Sequence, residues 1–286
     1  MIRLASEVGV ISRFCAVFLL LAIGCDGTKA PAPAPTPGVA EKAPADAPPL
    51  QLAAASDLQK ALSAVAKKFT SDTLIEVNIT FGASGNLAEQ IRAGAPFDIF
   101  FSANMKFVEK LAEEGKILKD SVEPYARGKL VLGVRKSSAD AIHELADITR
   151  PEIKKIALAN PATAPYGTAG KQALERAGLW EKVAPKIVQA DTVRQAMQFV
   201  ESGNAEAGMV SLASGGDAEI AIVDLDPKLY DPIIQGLGIL SESKSQDAQA
   251  FIKFVQGDAG QAILAEYGFT RPEPREAAPE ATVPEK

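Results

Sequence analysis

Leu52-Ala53-Ala54-Ala55-Ser56-Asp57-Leu58-Gln59-Lys60-Ala61-Leu62 decides how this chain is read. A short apolar run stops at a small hydroxyl residue, and a helical pattern begins at once. Leu58, Ala61, Leu62, Val65 and Phe69 recur at the i, i+3/i+4 spacing of an amphipathic helix. Ser56 stands where an N-cap belongs, its hydroxyl beside the unpaired N–H groups of the first turn. Such a strand–turn–helix junction either caps itself or holds an anion. Asp57, at the first helical position, is expected to point outward and favour the helix dipole.

The same device recurs down the chain. Ile75, Val77, Ile79 and Phe81 alternate with polar residues as a half-buried strand, and Gly82-Ala83-Ser84-Gly85-Asn86 then leads into a helix through Leu87 and Ile91. Ile153 to Ala159 reads as a strand, followed by a loop over 160–168 that contains Tyr166 and by a helix carrying Ala169, Ala173, Leu174 and Ala177. Ile187-Val188-Gln189 passes through Ala190-Asp191-Thr192 into a helix on Val193, Ala196, Met197 and Val200. Strands also fit 96–101, 128–134, 207–210 and 233–240, with Ser211 just past the third of these, and two closing helices fit 246–256 and 259–268. Alternating strands and helices predict an α/β fold with mostly parallel sheets flanked by helices. Ligands in such folds bind beyond the carboxyl ends of strands, where helices begin.

Composition sets the bounds. The chain has 286 residues, 47% hydrophobic and 23% charged, with a net charge of −6. An acidic chain lacks the basic face a nucleic acid needs, so no nucleic-acid partner is expected. One histidine, His143, and two cysteines leave no metal cluster and no disulfide in the mature chain. Nucleophile-elbow, Walker A and dinucleotide-loop patterns are absent, and the Ser241/Lys244 spacing is isolated in a polar turn, so neither an enzyme nor a cofactor is expected.

The ends carry their own signals. Residues 1–25 read as an export signal: Arg3 and Arg13 precede an apolar run too short to span a bilayer. Leu21-Ala22-Ile23-Gly24-Cys25 resembles the bacterial lipobox, which implies lipidation at Cys25. Residues 26–49 are an Ala/Pro-rich tether, and 271–286 read as a disordered tail.

Ala53-Ala54-Ala55-Ser56, Phe81-Gly82-Ala83-Ser84-Gly85 and Ala93-Gly94-Ala95-Pro96-Phe97-Asp98 together resemble the molybdate-binding protein of bacterial ABC transporters, the ModA family. Asn160-Pro161, Ala164-Pro165-Tyr166-Gly167, Gly203-Asn204-Ala205-Glu206-Ala207-Gly208 and Tyr267-Gly268-Phe269 extend the likeness across 50–270. The resemblance implies a two-lobed, type II periplasmic-binding fold: 50–128 as the first part of lobe 1, 129–235 as lobe 2 and 236–270 as the return to lobe 1. It implies capture of a tetrahedral oxyanion, molybdate or tungstate, by a periplasmic or extracytoplasmic monomer that serves an ABC permease and its ATPase. On the same scaffold the ligand could be sulfate, thiosulfate or another small anion. Carried over position by position, Ser56 and Ser84 contribute hydroxyl and backbone donors, while Tyr166 and Val193 contribute mainly backbone N–H groups. Ser211, the fifth oxyanion-binding residue the resemblance implies, falls where some family members place a tyrosine that donates its hydroxyl; the alternative is that Tyr166 supplies the phenol instead.

Overall fold

The computed structural model describes residues 48–215 and 219–272. The export signal, Cys25, nearly all of the tether and the tail from 273 lie outside these residues.

In chain order the strands are β1 (Leu50–Ala55), β2 (Val77–Gly82), β3 (Ile99–Ser102), β4 (Glu123–Gly128), β5 (Leu130–Arg135), β6 (Ile156–Ala159), β7 (Ile187–Ala190), β8 (Ala207–Ser211), β9 (Ile220–Asp224) and β10 (Ile233–Ile239). The helices are α1 (Gln59–Thr73), α2 (Ser84–Arg92), α3 (Met105–Glu113), α4 (Pro165–Arg176), α5 (Trp180–Val183), α6 (Val193–Glu201), α7 (Ala248–Gln256) and α8 (Asp258–Glu266). The strands form two five-stranded mixed sheets, ordered β2-β1-β3-β10-β4 and β7-β6-β8-β5-β9. In each sheet the strands that feed site helices run parallel to their neighbours: β1 to β2 and β3, and β6 to β7 and β8. Strands β10 and β5 run antiparallel to both of theirs.

The chain leaves the first sheet at Gly128 and enters the second at Leu130. It returns through 225–232, and β10 pairs with the first sheet from Ile233, three residues before the boundary expected from sequence.

Hydrophobic periodicity explains the packing. Leu58, Ala61, Leu62, Val65 and Phe69 are all buried, so the stripe read from sequence is the face α1 lays on its sheet. Phe69 stands edge-on to Phe251 of α7 at 5.0 Å between ring centres, and Phe251 in turn meets Phe101 of β3 at 5.9 Å. That geometry, favoured by the ring quadrupoles, ties α7, the first of the two closing helices, to α1 and β3.

Two departures from the sequence expectation have physical causes. Helix α4 starts at Pro165 rather than near Ala169, because proline at the first helical position has its φ preset and needs no N–H partner. Tyr166 and Gly167 therefore lie in a helical first turn, not in a loop. Strand β9, unforeseen, covers the free edge of β5, which leaves Leu130, Val131, Leu132 and Val134 fully buried. Among the described residues no helix is long and apolar enough to cross a membrane.

Candidate functional site

Four strands, β1, β2, β6 and β7, each release the chain into a helix at their carboxyl ends. The junction after β1 is a 3-10 turn, Ser56–Leu58, that runs directly into α1. The N-cap residues at the first three junctions are Ala55, Ala83 and Ala164, and no side chain caps any of these turns. The Ser56 hydroxyl is therefore not the cap expected from sequence: Ser56 sits one position inside the turn, after Ala55. Only the α6 terminus is closed, by Thr192, whose hydroxyl accepts the Gln195 N–H at 3.1 Å.

These termini converge on a cleft of about 180 Å³ including its mouth, lined by Ala55, Ser56, Asp57, Gly82, Ala83, Ser84, Ala103, Ala164, Pro165, Tyr166 and Val193. The space it encloses amounts to about one water-sized site, so it suits a single small ion. No lysine or arginine lines it. Its donors are backbone N–H groups, which carry the positive end of each helix dipole, together with serine hydroxyls. Ser84 is buried, and its Oγ accepts the Ala103 N–H at 3.1 Å, which leaves the hydroxyl proton to point elsewhere.

Of the five residues singled out from sequence, Ser56, Ser84, Tyr166 and Val193 line the cleft. Ser211 does not. Its Oγ accepts the Ala213 N–H at 3.2 Å, and its hydroxyl is close enough to the Tyr166 phenol to offset part of the rise that burial causes there. Ser211 thus supports Tyr166.

Asp57 overturns its expected orientation. It points inward, 1% exposed, and lines the cleft. Its Oδ2 accepts a short hydrogen bond from Gln235 Nε2, and the Tyr166 phenol lies near enough to the carboxyl to favour its charged form. The Gln235 amide nitrogen also reaches Tyr166 Oη at 3.4 Å, and its Oε1 accepts the Tyr125 hydroxyl at 2.6 Å. Oδ1 is buried without a hydrogen-bond partner. Burial pushes the Asp57 carboxyl up from 3.8 to about 6; Gln235, Tyr166 and the N–H groups of Asp57 and Leu58 offset part of that rise. Burial, with the Asp57 charge adding to it, holds the Tyr125 and Tyr166 phenols well above their ordinary value, so both are neutral.

Gln235 is the residue sequence reasoning missed. It is the single polar side chain in Ile233-Ile234-Gln235-Gly236-Leu237-Gly238-Ile239. A polar group inside an apolar central strand requires a buried partner, and that signal was available in the sequence.

Two glycines let the pieces meet. A Cβ on Gly128, at the crossover between sheets, would lie 2.0 Å from Tyr166 Oη. One on Gly167 would lie 2.2 Å from the Ala159 carbonyl oxygen. The lobes touch across the cleft: Gly85 N–H donates to Thr163 O at 2.8 Å, and Lys60 Nζ donates to Gly215 O at 2.6 Å. Among the described residues, no group of three or more His, Cys, Asp or Glu side chains could hold a metal ion.

Residues 50–270 match the model of the family described as bacterial extracellular solute-binding protein. The molybdate-binding protein ModA of Azotobacter vinelandii is 35% identical over 79% of this chain and 91% of its own length. YvgL of Bacillus subtilis strain 168, whose name describes an ABC transporter substrate-binding lipoprotein, is 34% identical over 77% of this chain and 86% of its own. The solved periplasmic molybdate-binding protein of Azotobacter vinelandii superposes with a TM-score of 0.74 at 33% identity, over 78% of this chain and all of that one.

Proposed function

Because the chain belongs to the bacterial extracellular solute-binding protein family, we propose that it captures molybdate or tungstate between its two lobes and delivers it to an ABC permease. One observation carries this reading: three helical N-termini without side-chain caps, and a fourth closed by Thr192, open onto one small cleft that no lysine or arginine lines. Aligned N–H groups and hydroxyls can surround a tetrahedral oxyanion without forming a fixed ion pair. Release then has no ion pair to break, as delivery to a permease requires.

In this role Ser56 and Ser84 donate hydroxyl and backbone hydrogen bonds from the first lobe, while Tyr166 and Val193 donate backbone N–H groups from the second. Bound molybdate is held through its oxygens, and no side chain ligates the metal. Cys25, following a lipobox-like sequence, anchors the protein to a bacterial membrane, and the tether of 26–49 holds the lobes off its surface. The name of the relative YvgL supports the anchor. The protein works as a monomer and turns nothing over.

The test is a calorimetric titration of the chain lacking residues 1–25 with molybdate, tungstate, sulfate and phosphate. Saturable 1:1 binding, with molybdate or tungstate preferred, is the expected result. Heat from none of the four would overturn the reading, while a preference for sulfate would keep the site and replace its ligand.

Ser56→Ala and Ser84→Ala are each expected to weaken molybdate binding by about 2 kcal/mol, roughly 30-fold in Kd, since each removes a donor to a buried charge. Wild-type affinity in both variants would show that the hydroxyls face away from the ligand. Tyr166→Phe is expected to cost under about 1 kcal/mol, because the phenol is engaged by Asp57, Gln235 and Ser211 while the backbone N–H stays in place. A loss as large as that of the serine variants would instead put the phenol on the anion.

A further inference from the structure

Asp57 is the one carboxylate lining the cleft, and nothing in the capture reading above, on which this inference rests, explains it. Its Oδ2 is committed to Gln235 and its Oδ1 has no partner. Left ionised, it would oppose an arriving dianion with no cation beside either of them. The cations on the packed elements are occupied elsewhere: Lys60 of α1 with the Gly215 carbonyl, and Arg194 of α6 with Glu201 and the Ser214 carbonyl. Lys67 and Lys68 lie about two turns farther along α1, the latter paired with Asp72. The titratable groups facing Asp57 are the phenols of Tyr166 and, through Gln235, Tyr125, both neutral. No lysine, arginine or second carboxylate is among the influences on its carboxyl.

A proton on Oδ1 removes both difficulties at once. It converts a buried acceptor without a partner into an O–H donor on a residue that lines the cleft, and it cancels the opposing charge. We propose that Asp57 is a ligand-contacting, specificity-determining residue that holds a fully deprotonated oxyanion through an Oδ1–H hydrogen bond, so that each capture takes up one proton. The balance is simple: the carboxylate, one solvent proton and the dianion combine into a carboxylic acid hydrogen-bonded to the dianion, and no bond within the anion breaks. Release returns the proton. Burial already brings the carboxyl to about 6 before any ligand arrives, so at neutral pH the proton is within easy reach. An anion that carries its own proton, such as hydrogen phosphate, would instead need Asp57 as an ionised acceptor and would take up none.

The experiment titrates the purified protein with molybdate at pH 7, 8 and 9, in buffers of different ionisation enthalpy. The dependence of heat on that enthalpy counts the protons exchanged. Uptake close to one proton at pH 8 is expected for the wild type, with Kd rising about tenfold per pH unit. In Asp57→Asn uptake should fall to near zero and Kd should become flat with pH, so that the variant gains on the wild type as pH rises. Wild-type binding with no proton uptake overturns the proposal, and that measurement stands even if the variant does not fold. An unchanged pH slope in Asp57→Asn overturns it too, as does hydrogen phosphate bound more tightly than molybdate without uptake. Absence of binding to any oxyanion overturns the capture reading and this inference with it, whereas binding without uptake overturns the inference alone.

Discussion

Asp57→Asn is expected to stabilise the ligand-free protein by about 3 kcal/mol at pH 8 and to change little at pH 3.5. The magnitude follows from a carboxyl moved from 3.8 to about 6, at about 1.36 kcal/mol per pH unit. The sign follows from proton counting. Between pH 3.8 and 6 the folded chain holds a proton on Asp57 that the unfolded chain has released, so folding stability falls as pH rises through that window. Below it both states are protonated and burial of the acid carries no charge penalty; above it the full penalty of a buried carboxylate is in force. Asparagine keeps the shape and never ionises. Thermal melts of both proteins across pH 3.5–8 should therefore diverge upward, by about 6–12 °C at the top for a domain of this size. Parallel curves would mean that water or a cation solvates the carboxylate. Both proteins must be stripped of anion first, because a bound ligand adds its own stabilisation.

Gly167→Ala is expected to do the opposite on a similar scale, destabilising the fold by about 3 kcal/mol or more. The new methyl carbon would stand 2.2 Å from the Ala159 carbonyl oxygen, 2.8 Å from its carbon and 2.9 Å from the Asn160 carbonyl carbon. All three are backbone atoms, so no rotamer change relieves the clash, and overpacking of this kind typically costs 1–3 kcal/mol or more. The relief available is for α4 to swing away from the end of β6. That swing carries Tyr166 and its N–H out of the cleft, so molybdate affinity should fall on the order of 100-fold along with stability. Urea midpoints and calorimetry measure the two effects. A variant with wild-type midpoint and Kd would show that the β6–α4 contact is slack and does not position the site.

The sequence carried much of the fold because its signals are local. The Leu58–Phe69 stripe, the alternation through Phe81 and the small-residue junctions are set by spacing within a dozen residues, and the structure buries the faces they mark. Proline at 165 could have moved the α4 boundary to its true place, since the residue's preset φ was visible in the sequence. The orientation of Asp57 could not be read that way. An acidic residue at a helix start ordinarily faces solvent, and what turns this one inward is Gln235, 178 positions away on a strand of the same sheet. Ser211 and Tyr166 illustrate the same limit: each is placed by tertiary packing, the serine behind the phenol and the phenol against Gly128. Local pattern finds the walls of such a cleft. Which side chain faces it is decided by partners distant in sequence.

The alanines at Ala55, Ala83 and Ala164 carry a thermodynamic implication for the ligand-free state. A side-chain cap is worth about 1 kcal/mol per helix, and the three turns that follow these alanines at the cleft go without one. On the order of 3 kcal/mol of ordinary helix stabilisation is thus absent from these three turns. Under the proposed function, a captured oxyanion would act as an N-cap shared by three helical turns drawn from both lobes. Under the same proposal, a serine at any of the three alanines would strengthen one helix by competing with the ion for its N–H groups.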